Sequence, residues 1–153
     1  MGLLFWKKKK EFFRQEEKNA IVAAIKEAEL MTSGEVRVFV ESRCRFVDAL
    51  DRAGELFFRL EMDQTEARNA VLVYIAMKDR QLAVFGDKGI HEKVGTDYWN
   101  QEVKKMTAHF RNDNFAEGIR QCIKDIGASL QYHFPYDHDT DKNELPDDII
   151  FGK

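Results

Sequence analysis

The longest apolar run in the chain predicts a buried β-hairpin. Seven apolar residues follow one another at positions 70–76, a polar turn occupies 77–80, and a second apolar run covers 82–85. Short runs of this kind, rich in β-branched and aromatic residues and bounded by polar turns, are typical of strands. Because the first run has no polar alternation, both of its faces must be covered. We predict a hairpin at the centre of a sheet, with helices above and below it.

A second pattern predicts a strand over residues 35–41. Val36, Val38 and Val40 alternate with Glu35, Arg37, Phe39 and Glu41. Strict alternation places every second side chain on one face, so this pattern favours an edge strand or a partly covered strand.

Four segments repeat apolar residues at helical spacing. Their bounds are 12–30, 48–60, 96–110 and 115–133. We predict Asp48 and Thr96 as N-caps, because short polar side chains can accept the free N–H groups of a first turn. Gly118 and Gly127 are predicted to allow close helix packing, and residues 87–90 are predicted to form a turn.

The order of these elements predicts the topology. A strand, a helix and a second strand imply a right-handed crossover with parallel strands, and the hairpin turns the third strand back. We predict an α/β protein, a three-layer α/β/α sandwich with a small mixed sheet of three to four strands. The chain divides into a lead (1–10), the α/β domain (11–135) and an acidic tail (136–153), whose apolar end could dock back on the domain.

Composition excludes several classes of protein. The 153 residues carry a formal net charge of -3, which gives no basic footprint for nucleic acid. Two cysteines without Cys-x-x-Cys spacing suggest a reduced compartment; Cys122 falls on an apolar helical face, and Cys44 in a loop. No signal peptide or transmembrane segment is visible, so we expect a cytoplasmic monomer. A membrane-peripheral role through the apolar residues 3–6 and the lysines 7–10 is the alternative.

The predicted topology brings polar residues from three strand ends together. The first two strands start where the third strand ends, because the third runs the opposite way. The residues that should meet there are Thr32, Ser33, Gly34, Glu35, Arg68, Asn69, Asp87, Lys88 and Gly89.

This convergence suggests a binding site. Glu35 and Asp87 could ligate a hard cation, Ca²⁺ or Mg²⁺. The alternative is structural, with Arg68 forming an ion pair with either carboxylate that ties the strand ends together. We assign the binding role to Thr32, Ser33, Gly34, Arg68, Asn69 and Lys88, with a small anion or an unidentified protein as the partner.

The acidic tail offers a second candidate metal site. Asp137, Asp139, Asp141 and Asp148 fall at positions 1, 3, 5 and 12 of an EF-hand-like loop. The match is imperfect, because Lys142 occupies the position of the turn glycine. A solvated acidic tail is the alternative interpretation.

No catalytic residue stands out in the sequence. The serines lack a Gly-x-Ser-x-Gly setting, the four histidines have no paired ligand spacing, and no glycine-rich loop could cradle a phosphate. We therefore expect no organic cofactor and name no catalytic residue.

Short motifs spread over residues 11–151 resemble the TPM-domain family, named after thylakoid phosphatase-like, photosystem II repair and receptor-modulator proteins. They are Ala28-Glu29, Thr32-Ser33-Gly34-Glu35, Met62, Thr65, Arg68-Asn69, Tyr74-Ile75-Ala76, Gly86-Asp87-Lys88-Gly89-Ile90-His91, Trp99, Phe115 to Ile119, His133-Phe134-Pro135 and Asn143-Glu144-Leu145-Pro146-Asp147. The last two motifs are similar to those of a subgroup of soluble bacterial members.

The resemblance implies an α/β sandwich and three possible functions. Some relatives are credited with acid phosphatase activity, and others bind divalent cations or partner proteins. The first expectation is a cation-binding or protein-binding module without turnover. The second is a metal-dependent phosphatase in which Arg68 holds the phosphate while Asp87 and Glu35 hold the metal and its attacking water. The third is a membrane-peripheral adaptor in envelope or stress maintenance. Many relatives carry a signal peptide and a membrane anchor, which this sequence does not show.

Overall fold

Four strands form one open mixed sheet in the order β3-β2-β1-β4. The structure is a computed structural model that describes residues 12–136 and 148–152. The strands are β1 (Glu35–Glu41), β2 (Ala70–Ala76), β3 (Gln81–Gly86) and β4 (Ile149–Phe151). The apolar end of the tail thus returns to the domain as β4, and the predicted small sheet is present.

Five α-helices accompany the sheet in the described part of the chain. They are α1 (Gln15–Glu29), α2 (Ala49–Arg59), α3 (Lys88–Val94), α4 (Thr96–Arg111) and α5 (Phe115–His133), with a short 3₁₀ turn at Met62–Gln64. Within the described residues, no helix is both long and apolar enough to cross a lipid bilayer.

Strand pairing follows the predicted topology. β1 runs parallel to β2, with Glu35 opposite Ala70, and β3 runs antiparallel to β2, with Gly86 opposite Val71. β4 adds to the other side of β1, also in parallel. The hairpin therefore lies at one side of the sheet. The prediction of both its strands at the centre is wrong for β3, because β3 is an edge strand.

Two apolar layers cover the sheet. One layer joins the Val36, Val38 and Val40 face of β1 to α1, α4 and α5. The other joins the opposite face, with Phe39, Leu72 and Tyr74, to α2. Every residue of β2 is buried, as its unbroken apolar run predicts. The fold is the expected three-layer α/β/α sandwich.

The prediction of an edge or partly covered strand for residues 35–41 is wrong. β1 lies between β2 and β4, and all of its residues except Arg37 are buried. Its two glutamates are buried, and Glu41 has a partner in Arg52 of α2. The alternation in sequence records polar contacts inside the protein, rather than exposure to water.

Two local predictions at the end of the hairpin are also wrong. Residues 87–90 start helix α3 instead of forming a turn, and the side chain of Asp87 accepts a hydrogen bond from the Lys88 N–H as its N-cap. Thr96 is the first residue of α4, and its N-cap is Gly95, which has φ +80°. Asp48 does cap α2, by accepting the Leu50 N–H at 2.9 Å.

Two glycines allow the helices to pack closely, as predicted. A Cβ on Gly127 would lie 2.7 Å from the Cβ of Ala28 in α1, and one on Gly118 would lie 2.8 Å from the Cβ of His109 in α4.

Cys122 is in the core, and burial raises the pKa of its thiol. Cys44 is buried as well, although it lies in a loop.

Candidate functional site

The structure brings the three strand ends together, as the topology predicts. The N–H of Asp87 donates to the carbonyl of Ala70 at 2.9 Å, and the N–H of Gly89 donates to the carbonyl of Arg68 at 2.8 Å. A Cβ on Gly89 would lie 2.2 Å from the carbonyl oxygen of Ala67. Only glycine fits this contact, which brings the first turn of α3 against the residues before β2.

Arg68 and Asp87 form a bidentate ion pair at this edge. Arg68 Nε lies 2.7 Å from Asp87 Oδ2, and Nη2 lies 2.8 Å from Oδ1. The hydrogen bond to Asp87 raises the pKa of Arg68. The Asp87 side chain is buried, and its Oδ1 also accepts the Lys88 N–H. The ion pair that the sequence allowed as an alternative is therefore present, and a cation bound by Asp87 would compete with Arg68.

The predicted binding residues around position 33 make contacts within the protein. Thr32 Oγ1 donates to the carbonyl of Leu130 at 3.0 Å and accepts the Gly34 N–H at 3.0 Å. Asn69 Nδ2 donates to Ser33 Oγ at 3.1 Å. These bonds tie the end of α5 and the start of β2 to the chain that enters β1. Lys88, by contrast, has an exposed side chain.

Glu35 lies at the start of β1 and is 2% exposed. Its neighbour on the same face is Arg37, whose pKa is lowered by burial although Glu35 and Glu29 both act to raise it. This end of β1 therefore keeps a carboxylate and a guanidinium largely away from water, where charge interactions are stronger than at the surface.

Both ends of the acidic tail are attached to the domain. One end is attached to the residues just before β1, and the other is attached to β1 itself. Pro135 forms an isolated β-bridge with Thr32, and the N–H of Tyr136 donates to the carbonyl of Met31 at 3.1 Å. The tail returns at Ile149, which pairs with Val38 in β1. Asp148 is exposed there, while Asp137, Asp139 and Asp141 lie outside the described residues.

A further polar cluster, at the opposite end of β1, was not foreseen from the sequence. Arg52 Nε and Nη2 lie 2.9 and 3.0 Å from the two carboxylate oxygens of Glu41. The hydroxyl of Tyr74 donates to the same carboxylate, and burial and this bond together raise the tyrosine pKa. The sequence shows only that a charged residue, Glu41, ends the predicted strand.

No preformed metal cage occurs in residues 12–136 and 148–152, where no group of three or more His, Cys, Asp or Glu side chains is placed to hold an ion. Glu35 and Asp87 would therefore need further ligands.

A family model for the TPM domain matches residues 7–129. The chain belongs to the TPM-domain family. No match is found among curated proteins.

Solved structures of three bacterial proteins share the fold. BA42 from the psychrophilic bacterium Bizionia argentinensis is 40% identical, with a TM-score of 0.85, and the match covers 95% of this chain and 99% of BA42. The N-terminal domain of cg2496 from Corynebacterium glutamicum is 13% identical, with a TM-score of 0.62, over 91% and 80% of the two chains. An N-terminal domain from P. gingivalis is 14% identical, with a TM-score of 0.68, over 82% and 83%. The last two show the fold alone.

Proposed function

We propose that this TPM domain binds a divalent cation, Ca²⁺ or Mg²⁺, without catalytic turnover, and that its acidic tail supplies most of the ligands. The observation that carries the proposal is the double tether of the tail. The tail leaves the domain beside Thr32 and returns beside Val38. Both attachment points flank Glu35 along the chain.

The tether matters because it confines like charges. Residues 137–147 contain five carboxylates and one lysine. The residues on either side of this segment, Tyr136 and Ile149, are both bonded to the domain, which limits how far apart these charges can spread. Carboxylate oxygens are the ligands that Ca²⁺ and Mg²⁺ take from proteins, and a bound cation would relieve the repulsion.

Glu35 is the residue of the domain itself that we propose as a neighbour of this site. It lies between the two tether points in sequence and is buried. Asp87 is less suited, because both of its oxygens already bind Arg68. Of the two metal ligands predicted at the strand ends, we therefore retain Glu35 for the main proposal and Asp87 as the alternative.

The same ion pair favours binding over phosphatase activity. A phosphatase site here would need Arg68 to hold the phosphate and Asp87 to hold the metal, yet each of these groups is occupied by the other. The membrane-peripheral alternative depends on residues 3–10, which lie outside the described part of the chain.

Calorimetric titration with CaCl₂ and MgCl₂ at constant ionic strength tests the proposal. Asp139→Asn combined with Asp141→Asn should weaken binding about tenfold or more, because two carboxylate ligands lose their charge. Asp97→Asn, which neutralises an exposed carboxylate on α4, is the matched control and should leave the affinity unchanged.

Two results would contradict the proposal. Loss of ion binding in Asp87→Asn, with the tail variant unaffected, would move the site to the strand ends. Metal-dependent hydrolysis of an aryl phosphate that disappears in Asp87→Asn would establish turnover.

A further inference from the structure

The outer backbone edge of strand β3 has no backbone partner within the described chain; Leu82 and Gly86 are half-buried at this edge, and Val84 is buried between them. The N–H of Asp87 bonds the carbonyl of Ala70, and the antiparallel register fixes the alternation from there. Residues 81, 83 and 85 therefore turn their N–H and C=O groups to β2, while Leu82, Val84 and Gly86 turn theirs outward. Within the described chain, no backbone hydrogen bond reaches this outer edge.

The open edge lies at the bottom of a groove. Helices α2 and α4 both pack on β3, one on each face, so that Ala83 and Val84 are buried and an added strand must displace side chains of the two walls to reach Val84. The groove between these helices has a volume of about 1070 Å³, at the upper end of the ~300–1,000 Å³ range of ligand pockets. An added strand must therefore enter between two helical walls.

The two walls have different chemistry. The α2 side is apolar, with Phe58 52% exposed and Leu50 48% exposed, next to Phe85 of β3. The α4 side is polar and exposes Asn100, Gln101 and Lys104. Since successive side chains of a strand point to opposite faces, a strand that fits here must alternate apolar and polar residues.

The polar wall also carries an ordered pair of charges. Helix α4 runs antiparallel to β3, because Trp99 packs on Gly86 while Asp113 pairs with Arg80 at the other end. Asp97 and Lys104 both line the groove and are seven residues apart, or about 10 Å along the helix axis. On the side that faces α4, a complementary strand has a basic residue toward the Gly86 end and an acidic residue toward the Leu82 end. The rest of the groove is lined by other charged residues, Asp48, Arg68, Lys88 and Glu92.

We propose that β3 is a docking edge for an extended segment of a partner protein, bound by β-strand addition. The backbone of the partner pairs with Leu82, Val84 and Gly86, and its apolar face packs on Phe58. A second copy of this chain is a poor occupant, because its own α2 and α4 would meet the two walls before the strands could pair. This docking is separate from the proposed cation site and does not depend on it.

The free protein gives the first test. Amide hydrogen exchange of the full chain should be faster at Leu82 and Gly86, which are half-buried and turn outward, than at Ala83 and Phe85, which bond to β2. Protection of the Leu82 and Gly86 amides in the free protein, whether by a second copy or by residues 1–11, overturns the proposal.

Peptide selection gives the second test. A random nine-residue display library is selected on the full chain and counter-selected on Phe58→Ser, with Tyr132→Ser as the control because Tyr132 is an exposed aromatic residue on α5. We expect enriched peptides that alternate apolar and polar residues. The best synthetic peptide should protect the amides of Leu82, Val84 and Gly86 and bind Phe58→Ser at least about fivefold more weakly, with Tyr132→Ser unchanged.

The charge order is tested with the same peptide. Lys104→Glu should weaken binding of a peptide with an acidic residue, while Lys124→Glu, an exposed lysine change on α5, should not. Failure to enrich any peptide, or peptides that protect other amides, overturns the docking edge but leaves the cation proposal intact.

Discussion

The two ends of β1 each bury a glutamate, and the protein treats the two carboxylates differently. Glu41, 6% exposed, accepts two bonds from Arg52 and one from the Tyr74 hydroxyl. Glu35, 2% exposed, lies at the end where the acidic tail is attached. One end surrounds its carboxylate with a bidentate guanidinium and a hydroxyl, whereas the other end has Arg37 beside Glu35 and is the place where an acidic segment is attached.

This difference separates a structural cluster from a candidate binding site. A buried carboxylate with a bidentate arginine and a phenol has its charge and its hydrogen bonds satisfied within the fold. At the Glu35 end, the attached segment 137–147 adds five carboxylates to the sequence, and in our proposal a bound cation compensates for their charge. We therefore expect changes at the Glu41 end to affect stability regardless of ions, and changes near the tail to affect the response to ions.

Breaking the Glu41 cluster should have the largest effect. Arg52→Met leaves Glu41 buried without its cation, which should lower the free energy of unfolding by about 3 kcal/mol. Urea denaturation measures this loss, and the loss should be equal with and without Ca²⁺. Arg59→Met is the control, because Arg59 and its partner Glu55 are both partly exposed, and it should cost less than about 0.5 kcal/mol. Equal losses for the two variants would contradict a structural role for the cluster.

Gly89→Ala should have the next largest effect, at the other end of the sheet. The added Cβ would lie within 2.7 Å of two backbone carbonyl oxygens, those of Ala67 and Arg68, which cannot move aside without shifting the start of β2. We expect a loss of about 2–3 kcal/mol in unfolding free energy.

Gly54→Ala is the matched control for this prediction. The three atoms nearest to its Cβ would all belong to the ring of Phe85, the closest at 3.2 Å, and alanine is the better helix former within α2. Urea denaturation should find it neutral or slightly stabilising, and a loss as large as that of Gly89→Ala would contradict the close-contact argument.

A third buried glutamate, Glu102 in α4, differs from Glu41 and Glu35 because it should make the stability of the protein depend on pH. Burial, with Asp125 nearby, raises its pKa to about 7, and Lys105 only partly offsets this. Because the folded-state pKa lies above the unfolded value, the folded protein holds a proton that the unfolded chain releases. Stability should therefore fall by about 2 kcal/mol as pH rises from about 4.5 to 7.

Denaturation midpoints measured across this pH range check the assignment to Glu102. Glu102→Gln should remove this part of the pH dependence and should stabilise the protein most at pH 8. Glu92→Gln, an exposed change on α3, should leave the profile as it is. An unchanged profile in Glu102→Gln would show that another group is responsible.

The smallest expected effect is at the Arg68–Asp87 ion pair. Arg68 is 42% exposed in its side chain, compared with 17% for Arg52. When an exposed guanidinium is removed, water can replace part of its hydrogen bonding to the carboxylate. Arg68→Met should therefore shift the urea midpoint less than Arg52→Met does. A larger shift would mean that the strand-end pair, and not the Glu41 cluster, holds the sheet together.

The sequence was sufficient where one pattern had one physical cause. The unbroken apolar run of β2 required two covered faces, and the order of strand, helix and hairpin required that Glu35, Arg68 and Asp87 meet. The start of α3 was missed because its residues have two interpretations. Asp87, Lys88 and Gly89 suit a turn as well as the start of a helix.

Long-range partners were the other gap. β1 looked like an edge strand because the partners of Glu41, which are Arg52 and Tyr74, lie far from it in sequence, and because β4 comes from a distant tail. The Glu41 cluster joins three separate segments and left no local pattern. The groove beside β3 depends on how α2 and α4 flank one strand, which residue spacing alone does not specify.

An NMR titration of the metal-free protein with CaCl₂ tests the central claim most directly. If the tethered tail holds the ion, saturable shifts should appear at both attachment points, around Thr32 and Tyr136 and around Asp148, with Arg68 and Asp87 unmoved. Shifts confined to residues 87–89, or no saturable shift at millimolar Ca²⁺, would contradict the account.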